Sequence, residues 1–99
     1  MVKHVILWKL KETDAESLKK IKADAKRELE ALNGRIEGLV DIKIITEPLA
    51  SSNADMMLDS TFTDANALAG YQAHPLHLAA ANGCVRPFAQ TRLCLDFEI

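Results

Sequence analysis

The chain has 99 residues, of which 48% are hydrophobic and 26% charged, which fits one domain (residues 1–99) and excludes collagen-like, disordered and disulfide-scaffold classes. Twelve basic and fourteen acidic residues leave a net charge of −2, so no nucleic-acid partner and no membrane partner is expected. The longest apolar run, residues 5–8, is too short for a bilayer and the first residues lack signal-peptide features, so we expect a cytoplasmic protein with Cys84 and Cys94 as reduced thiols.

The first third of the chain predicts a strand followed by a helix. Residues 3–10 carry apolar groups on both faces, which is typical of a strand covered on both sides. A capping box formed by Thr13 and Glu16 predicts the start of the helix, and Asn33-Gly34 supplies its left-handed stop. The apolar stripe between them recurs every three or four residues, at Leu18, Ile21, Ala25, Leu29 and Leu32.

Two further strands follow. Residues 39–46 are rich in β-branched side chains and predict a strand with Val40, Ile42 and Ile44 on one face. Residues 56–62 alternate between apolar and polar side chains and predict a third strand, separated from the second by a polar loop after Pro48.

A proline divides the helical segment that comes next. Thr63 is the predicted N-cap. Because Pro75 lacks an N–H and disfavours helical geometry in His74, the helix is expected to break there and to restart over residues 76–84. Residues 92–99 alternate regularly and predict the final strand.

The order βαββαβ predicts an α+β, ferredoxin-like fold with a four-stranded antiparallel sheet and both helices on one face. The helices cover one side of the sheet, yet the first two strands carry apolar groups on both sides. Because a large uncovered apolar face is unusual on a monomer, we expect a homodimer that forms through the sheet face.

The residues that could carry chemistry are a tyrosine and histidines. Tyr71, His74 and His77 are spaced three apart across the helix break, and the central first strand would bring His4 beneath them. An imidazole that titrates near neutral pH, next to a phenol, suits general acid/base catalysis. The structural alternative is a strand histidine bonded to a carbonyl and a tyrosine that only packs.

The same region predicts a pocket whose apolar lining comes from Ile6, Trp8, Leu39 and Phe88. The His-x-x-His spacing, with His4 as a third ligand, could hold zinc or copper. No cysteine or carboxylate lies at ligand spacing in the sequence, so we expect no metal and no cofactor.

Two segments, residues 3–11 and 71–77, resemble the stress-responsive A/B barrel (Dabb) family, and the second carries the family's Tyr-x-x-His-Pro-x-His signature. Residues 32–39, 55–62 and 85–88 are similar as well. The resemblance implies a dimeric α+β barrel in which two ferredoxin-like subunits face each other through their sheets. A polyketide cyclase of this family performs an intramolecular aldol condensation, and the resemblance places its roles on His77 as general base, Tyr71 as phenolic partner and His4 as a pocket histidine.

Three functions stay open, in this order of preference. The first is a homodimer that binds a small apolar or carbonyl-containing molecule between the sheet and the second helix. The second is a cofactor-independent, polyketide-cyclase-like lyase that uses His77 as general base with Tyr71. The third, a haem-handling monooxygenase-like protein, rests on distant relatives that share the barrel architecture.

Overall fold

The computed structural model describes residues 1–11 and 14–99 and contains four strands and three α-helices in these residues. The elements are β1 (Val2–Leu10), α1 (Ala15–Glu30), β2 (Leu39–Ile45), β3 (Met56–Phe62), α2 (Ala65–Ala73), α3 (Pro75–Cys84) and β4 (Ala89–Glu98). A short 3₁₀ turn, Arg86–Phe88, joins α3 to β4. The predicted βαββαβ order is confirmed, and the second helical segment is divided at His74 as expected.

The strands form one antiparallel sheet in the order β2-β3-β1-β4. This is the ferredoxin-like α+β fold, with β1 in the interior of the sheet between β3 and β4. Along β1 the side chains of Ile6, Trp8 and Leu10 are buried on the helix side. None of the helices in the described parts of the chain is long and apolar enough to cross a membrane.

The sequence predicts threonine N-caps for α1 and α2, but in the structure an aspartate caps each of these two helices. Asp14 caps α1, where its carboxylate accepts from the Ser17 N–H at 3.0 Å, and the predicted cap Thr13 lies outside the described residues. The prediction of Thr63 for α2 is wrong, because Asp64 accepts from the Ala67 N–H at 2.7 Å. Thr63 lies between β3 and α2, and its N–H donates to the Gly38 carbonyl at 2.9 Å.

The end of α1 is bonded to the outer edge of β2. The Asn33 side chain accepts from the Ile42 N–H at 3.0 Å and donates to the Ile42 carbonyl at 2.9 Å. The Glu30 carboxylate accepts from the Ile44 N–H at 2.9 Å. Edge strands expose unpaired backbone groups, and these side chains satisfy them. The helix ends at Glu30, slightly before the predicted stop, and Gly34 adopts a positive φ of 76° in the following turn.

One strand residue faces the opposite way from the prediction. Ile42 and Ile44 are buried as expected, but Val40 is 47% exposed. The register against β3 shifts between Leu39 and Asp41, so an extra residue is accommodated at Val40. Such a bulge turns the extra side chain away from the alternation that a regular strand imposes.

The face of the sheet opposite the helices is uncovered and carries an apolar patch, beside which Lys3 and Asp59 form an ion pair. Directly paired residues present their side chains on the same face, and the register places Val5 opposite Leu95 and Leu7 opposite Leu93. Leu93 and Leu95 are 63% and 65% exposed. We call this surface the sheet face, defined by Val5, Leu7, Ile45, Met57, Leu93, Leu95 and Phe97.

Candidate functional site

A cavity of about 150 Å³ lies between the helix side of the sheet and α3. A cavity of this size accommodates one molecule about as large as benzene. Its apolar walls come from the sheet, from α1 and from the segment around α3, through Ile6, Trp8, Leu29, Leu58, Ala81, Val85 and Ala89. Its polar groups are His4, Gln72, His77, Arg86 and Arg92.

The start of α3 places His77 at this cavity. Pro75 occupies the first turn, and the His74 side chain caps the helix by accepting from the Leu76 N–H at 3.1 Å. His77 follows in the same turn, and its Nδ1 lies 3.3 Å from the Gln72 carbonyl oxygen. Because a carbonyl oxygen can only accept, Nδ1 carries the proton in this contact, and Nε2 is the unprotonated nitrogen of the neutral ring.

The surroundings of His77 keep its ring neutral. Burial lowers the pKa of His77, and the positive charges of Arg86 and Arg92 and the neighbouring His4 lower it further. The hydrogen bond to Gln72 acts in the opposite direction and is outweighed. At neutral pH the ring is therefore uncharged, with Nε2 available as a hydrogen-bond acceptor or as a base.

Tyr71 packs behind the His77 ring. The two ring centroids are 4.2 Å apart with an angle of 38° between the planes, and the structure gives no hydrogen bond between the side chains. Tyr71 is almost completely buried, and its hydroxyl has no hydrogen-bond partner among the described residues. Burial raises the pKa of Tyr71, so the group is a protonated phenol.

His4 forms the floor of the cavity from β1. It is 1% exposed, and its Nδ1 donates to the carboxylate of Asp96, its direct partner on β4. Its ring centroid lies 6.3 Å from that of Tyr71 and 6.3 Å from that of Phe62. These two aromatic side chains hold the histidine in one place beneath the helices.

The structure therefore brings most of the predicted site residues together. His4, Ile6, Trp8 and His77 line one cavity, and Tyr71 contacts His77 from behind. The two other predicted lining residues lie elsewhere. Leu39 is buried in the core at the start of β2, and Phe88 lines a separate surface hollow beside Pro87 and α1.

Three polar residues of the cavity were not predicted from the sequence. Gln72 lies at the end of α2, Arg86 in the 3₁₀ turn and Arg92 on β4. Arg92 could have been found from the alternation of the last strand, which places it on the same face as Asp96. Arg86 and Gln72 carry no comparable signal, because irregular turns and helix ends position them.

Comparison with known proteins relates the whole chain to one family and fold. Residues 2–99 match the family model for the Stress responsive A/B Barrel Domain. A dimeric protein of unknown function with a ferredoxin-like fold from Bacteroides fragilis is 26% identical, with a TM-score of 0.91 over 99% of this chain and 95% of that chain. A Dabb family protein from Mesorhizobium loti is 21% identical, with a TM-score of 0.76 over 99% of this chain and 95% of that chain.

A characterised enzyme shares the fold at lower identity. The hydroxynitrile lyase from Passiflora edulis is 16% identical, with a TM-score of 0.72 over 99% of this chain and 92% of that chain. At this identity the similarity concerns the fold alone. No curated protein matches the chain in sequence.

Proposed function

The chain belongs to the stress responsive A/B barrel domain family, and from that premise we propose that it is a homodimer that binds one small apolar or carbonyl-containing molecule between the sheet and α3. The observation that carries this proposal is the cavity of about 150 Å³, in which a neutral imidazole faces apolar walls. Ligand sites are typically concave and apolar with a few placed polar groups.

The uncovered sheet face supports the homodimer. Its exposed leucines on β4 lie beside Val5 and Leu7 of β1 and form an apolar patch with them. Surfaces of this kind on soluble proteins mark interaction sites. The proteins of similar fold from Bacteroides fragilis and Thermobifida fusca are described as dimeric.

The polar groups of the cavity favour a ligand that carries a carbonyl oxygen. Arg86 and Arg92 offer N–H donors and positive charge, while the walls between them are apolar.

We propose no haem, because a cavity that holds one six-membered ring is far smaller than a porphyrin with its four pyrrole rings. We place the protein in the cytoplasm, where Cys84 and Cys94, both free thiols, stay reduced.

A titration with cyclohexanone, one ring with one carbonyl group, tests ligand binding. We expect saturable NMR shifts of the Trp8 indole and the His77 imidazole, with a Kd on the order of 1 mM, about −4 kcal/mol. Ala81→Leu fills the cavity from α3 and should abolish these shifts. Ala79→Leu, at an exposed position of the same helix, should leave them unchanged. Absence of saturable shifts in the native protein, or shifts that survive in Ala81→Leu, would overturn the proposal.

The state of His77 favours a second candidate, a cofactor-independent lyase or cyclase. A neutral ring whose Nδ1–H is held by the Gln72 carbonyl presents Nε2 as the basic nitrogen. In this reaction Nε2 takes the proton from the carbon next to a bound carbonyl, and the electron pair of the broken C–H bond forms an enolate. We assign Tyr71 the role of phenolic partner, because burial keeps it protonated and it packs against the base.

Deuterium exchange tests the lyase without knowledge of the natural substrate. In D₂O the native protein should speed the exchange of the α-protons of cyclohexanone, and His77→Gln should remove about 10²–10⁴-fold of that acceleration. The matched control is His74→Asn, which keeps an acceptor at the N-cap of α3 and should exchange at the native rate. Exchange by the native protein no faster than in buffer would reject the lyase and leave the binding proposal intact.

A further inference from the structure

Three side chains with metal-ligating atoms meet where β4 pairs with β1. His4, Cys94 and Asp96 each offer one ligand atom, and these atoms lie within 4.8 Å of one another. We propose that they form a site for a divalent cation of the zinc class, bound by His4 Nδ1, Cys94 Sγ and the Asp96 carboxylate. The site shares His4 with the cavity, but it does not depend on a ligand in the cavity.

The strand register explains why the sequence did not indicate this site. The sequence shows no cysteine or carboxylate at ligand spacing from a histidine, because here the relevant spacing runs across two strands. Asp96 is the direct partner of His4, and Cys94 is the partner of Ile6. Residues two apart on a strand share a face, so Cys94 and Asp96 both lie on the helix side with His4.

The two distances from the cysteine sulfur fit a tetrahedral ion. Cys94 Sγ is 3.7 Å from His4 Nδ1 and 3.4 Å from Asp96 Oδ1. With Zn–S bonds of about 2.3 Å and Zn–N or Zn–O bonds of about 2.0–2.2 Å, tetrahedral geometry separates the sulfur from a nitrogen or oxygen ligand by about 3.5–3.7 Å. The third pair, His4 and Asp96, shares a hydrogen bond. On binding, these two ligand atoms would move apart to about 3.3–3.6 Å, the ion would take the place of the shared proton, and that proton would move to Nε2 of the same ring. The Cys94 thiol would lose its proton to solvent on binding.

The donor set points to the class of cation. Thiolate and imidazole ligands select zinc and similar transition ions over magnesium and calcium, which prefer oxygen ligands. Three protein ligands leave one tetrahedral position for water or for another molecule, as in catalytic zinc sites.

The surroundings define how accessible and how strong the site is. His4 is buried and held by its aromatic neighbours, whereas Cys94 and Asp96 lie exposed on an edge strand. All three lie on the side opposite the sheet face, so a dimer formed through that face leaves them uncovered. The guanidinium of Arg92 interacts electrostatically with Cys94, and its positive charge weakens cation binding.

Cobalt, which replaces zinc and absorbs visible light in tetrahedral sites, provides the test. Co²⁺ is added to the full chain without a histidine tag, and we expect one ion per chain with a thiolate-to-cobalt charge-transfer band. Cys94→Ser should remove the band and weaken binding by at least about 100-fold, since losses of outer partners alone cost 10–100-fold. Asp96→Asn should weaken binding at least about tenfold, whereas Cys84→Ser should change neither band nor affinity.

Arg92→Gln gives a test in the opposite direction, because loss of the positive charge should strengthen cobalt binding several-fold. Circular dichroism of each variant checks that the fold is retained, and the exposed positions of Cys94 and Asp96 make loss of the fold unexpected. Absence of the charge-transfer band in the native protein would overturn the site. A band that persists in Cys94→Ser, or an affinity unchanged by Asp96→Asn, would overturn it as well.

Discussion

The hydroxyl of Tyr71 is a buried polar group without a hydrogen-bond partner among the described residues. A buried, unsatisfied hydroxyl costs about 1–3 kcal/mol of stability. We therefore expect Tyr71→Phe to be as stable as the native protein or more stable in chemical denaturation. Tyr71→Ala should lose about 3–5 kcal/mol, because it deletes a buried ring that packs against Phe62 and His77. A loss of about 2 kcal/mol or more in Tyr71→Phe would mean that the hydroxyl bonds within the fold.

The lowered pKa of His77 makes the stability of the fold depend on pH. The ordinary histidine value is 6.5, so the unfolded chain binds this proton before the folded chain does as the pH falls. The contribution of His77 to the free energy of unfolding is thus complete above about pH 6.5 and is lost as the pH falls through the lower folded pKa.

Denaturation at several pH values measures this effect. From about pH 7.5 to pH 5, His77→Gln should lose less stability than the native protein, because it lacks the titrating ring. His74→Asn serves as a control and should keep the part of the native slope that His77 contributes. Equal slopes for His77→Gln and the native protein would contradict the half-buried, neutral state of the ring.

Among the residues of the candidate site, the sequence predicted those whose position depends on the regular alternation of a strand or on the helix break at Pro75. His4, Ile6 and Trp8 alternate along β1, and His77 follows Pro75 in the first turn of α3. Leu39 and Phe88 were assigned to the pocket from apolar character alone. Apolar character does not distinguish a core position from a cavity wall, which depends on packing in three dimensions.

Among the secondary-structure elements, the connection between α1 and β2 depends on a glycine. Gly38 has a φ of 83°, and a Cβ at this position would lie 2.4 Å from the Ala67 Cβ in α2. Gly34 has a similar φ of 76° but no atom within 4 Å of such a Cβ. Both glycines therefore adopt a left-handed backbone conformation that other residues rarely adopt. Of the two, only Gly38 also lacks space for a side chain.

Alanine substitutions separate the two requirements. Gly34→Ala should cost about 1–2 kcal/mol from left-handed backbone strain, and Gly38→Ala about 1–3 kcal/mol more from the collision with α2. Adding Ala67→Gly to Gly38→Ala should recover part of the second cost. Equal melting temperatures for the two single variants would show that α2 does not pack against Gly38.

Sequence patterns predicted every α-helix and strand of the described chain, because each has its own hydrophobic periodicity or residues that begin or end it. The break at Pro75 was predictable from the missing N–H and the restriction on His74. Two predictions were wrong because the outcome depends on neighbouring residues or strands. Asp64 rather than Thr63 caps α2, and the register shift against β3 turns Val40 outward, which single-strand alternation cannot indicate.

For the whole molecule, the sheet face should hold two copies together. Leu95→Asp places a charge on the apolar patch of this face, and we expect it to convert the dimer to a monomer in sedimentation equilibrium. Leu49→Asp is the control, since Leu49 is 79% exposed in the β2–β3 loop and lies outside the sheet face. Ile6→Asp should unfold the protein, because Ile6 is buried on the helix side.

The native protein should sediment at about twice its chain mass of 10.9 kDa. A native monomer at micromolar concentration would contradict the role assigned to the sheet face. Unchanged dimerisation of Leu95→Asp would instead place the interface elsewhere on the molecule.

The proposed function requires that one small molecule binds between the sheet and α3, beside His77. A crystal structure of the protein soaked with cyclohexanone is the decisive measurement. We expect electron density for one ring in the cavity between His77 and Trp8, with the carbonyl oxygen within hydrogen-bond distance, about 3 Å, of a histidine or an arginine. A cavity filled by protein side chains, or a ring bound only outside it, would show that the molecule does not bind there.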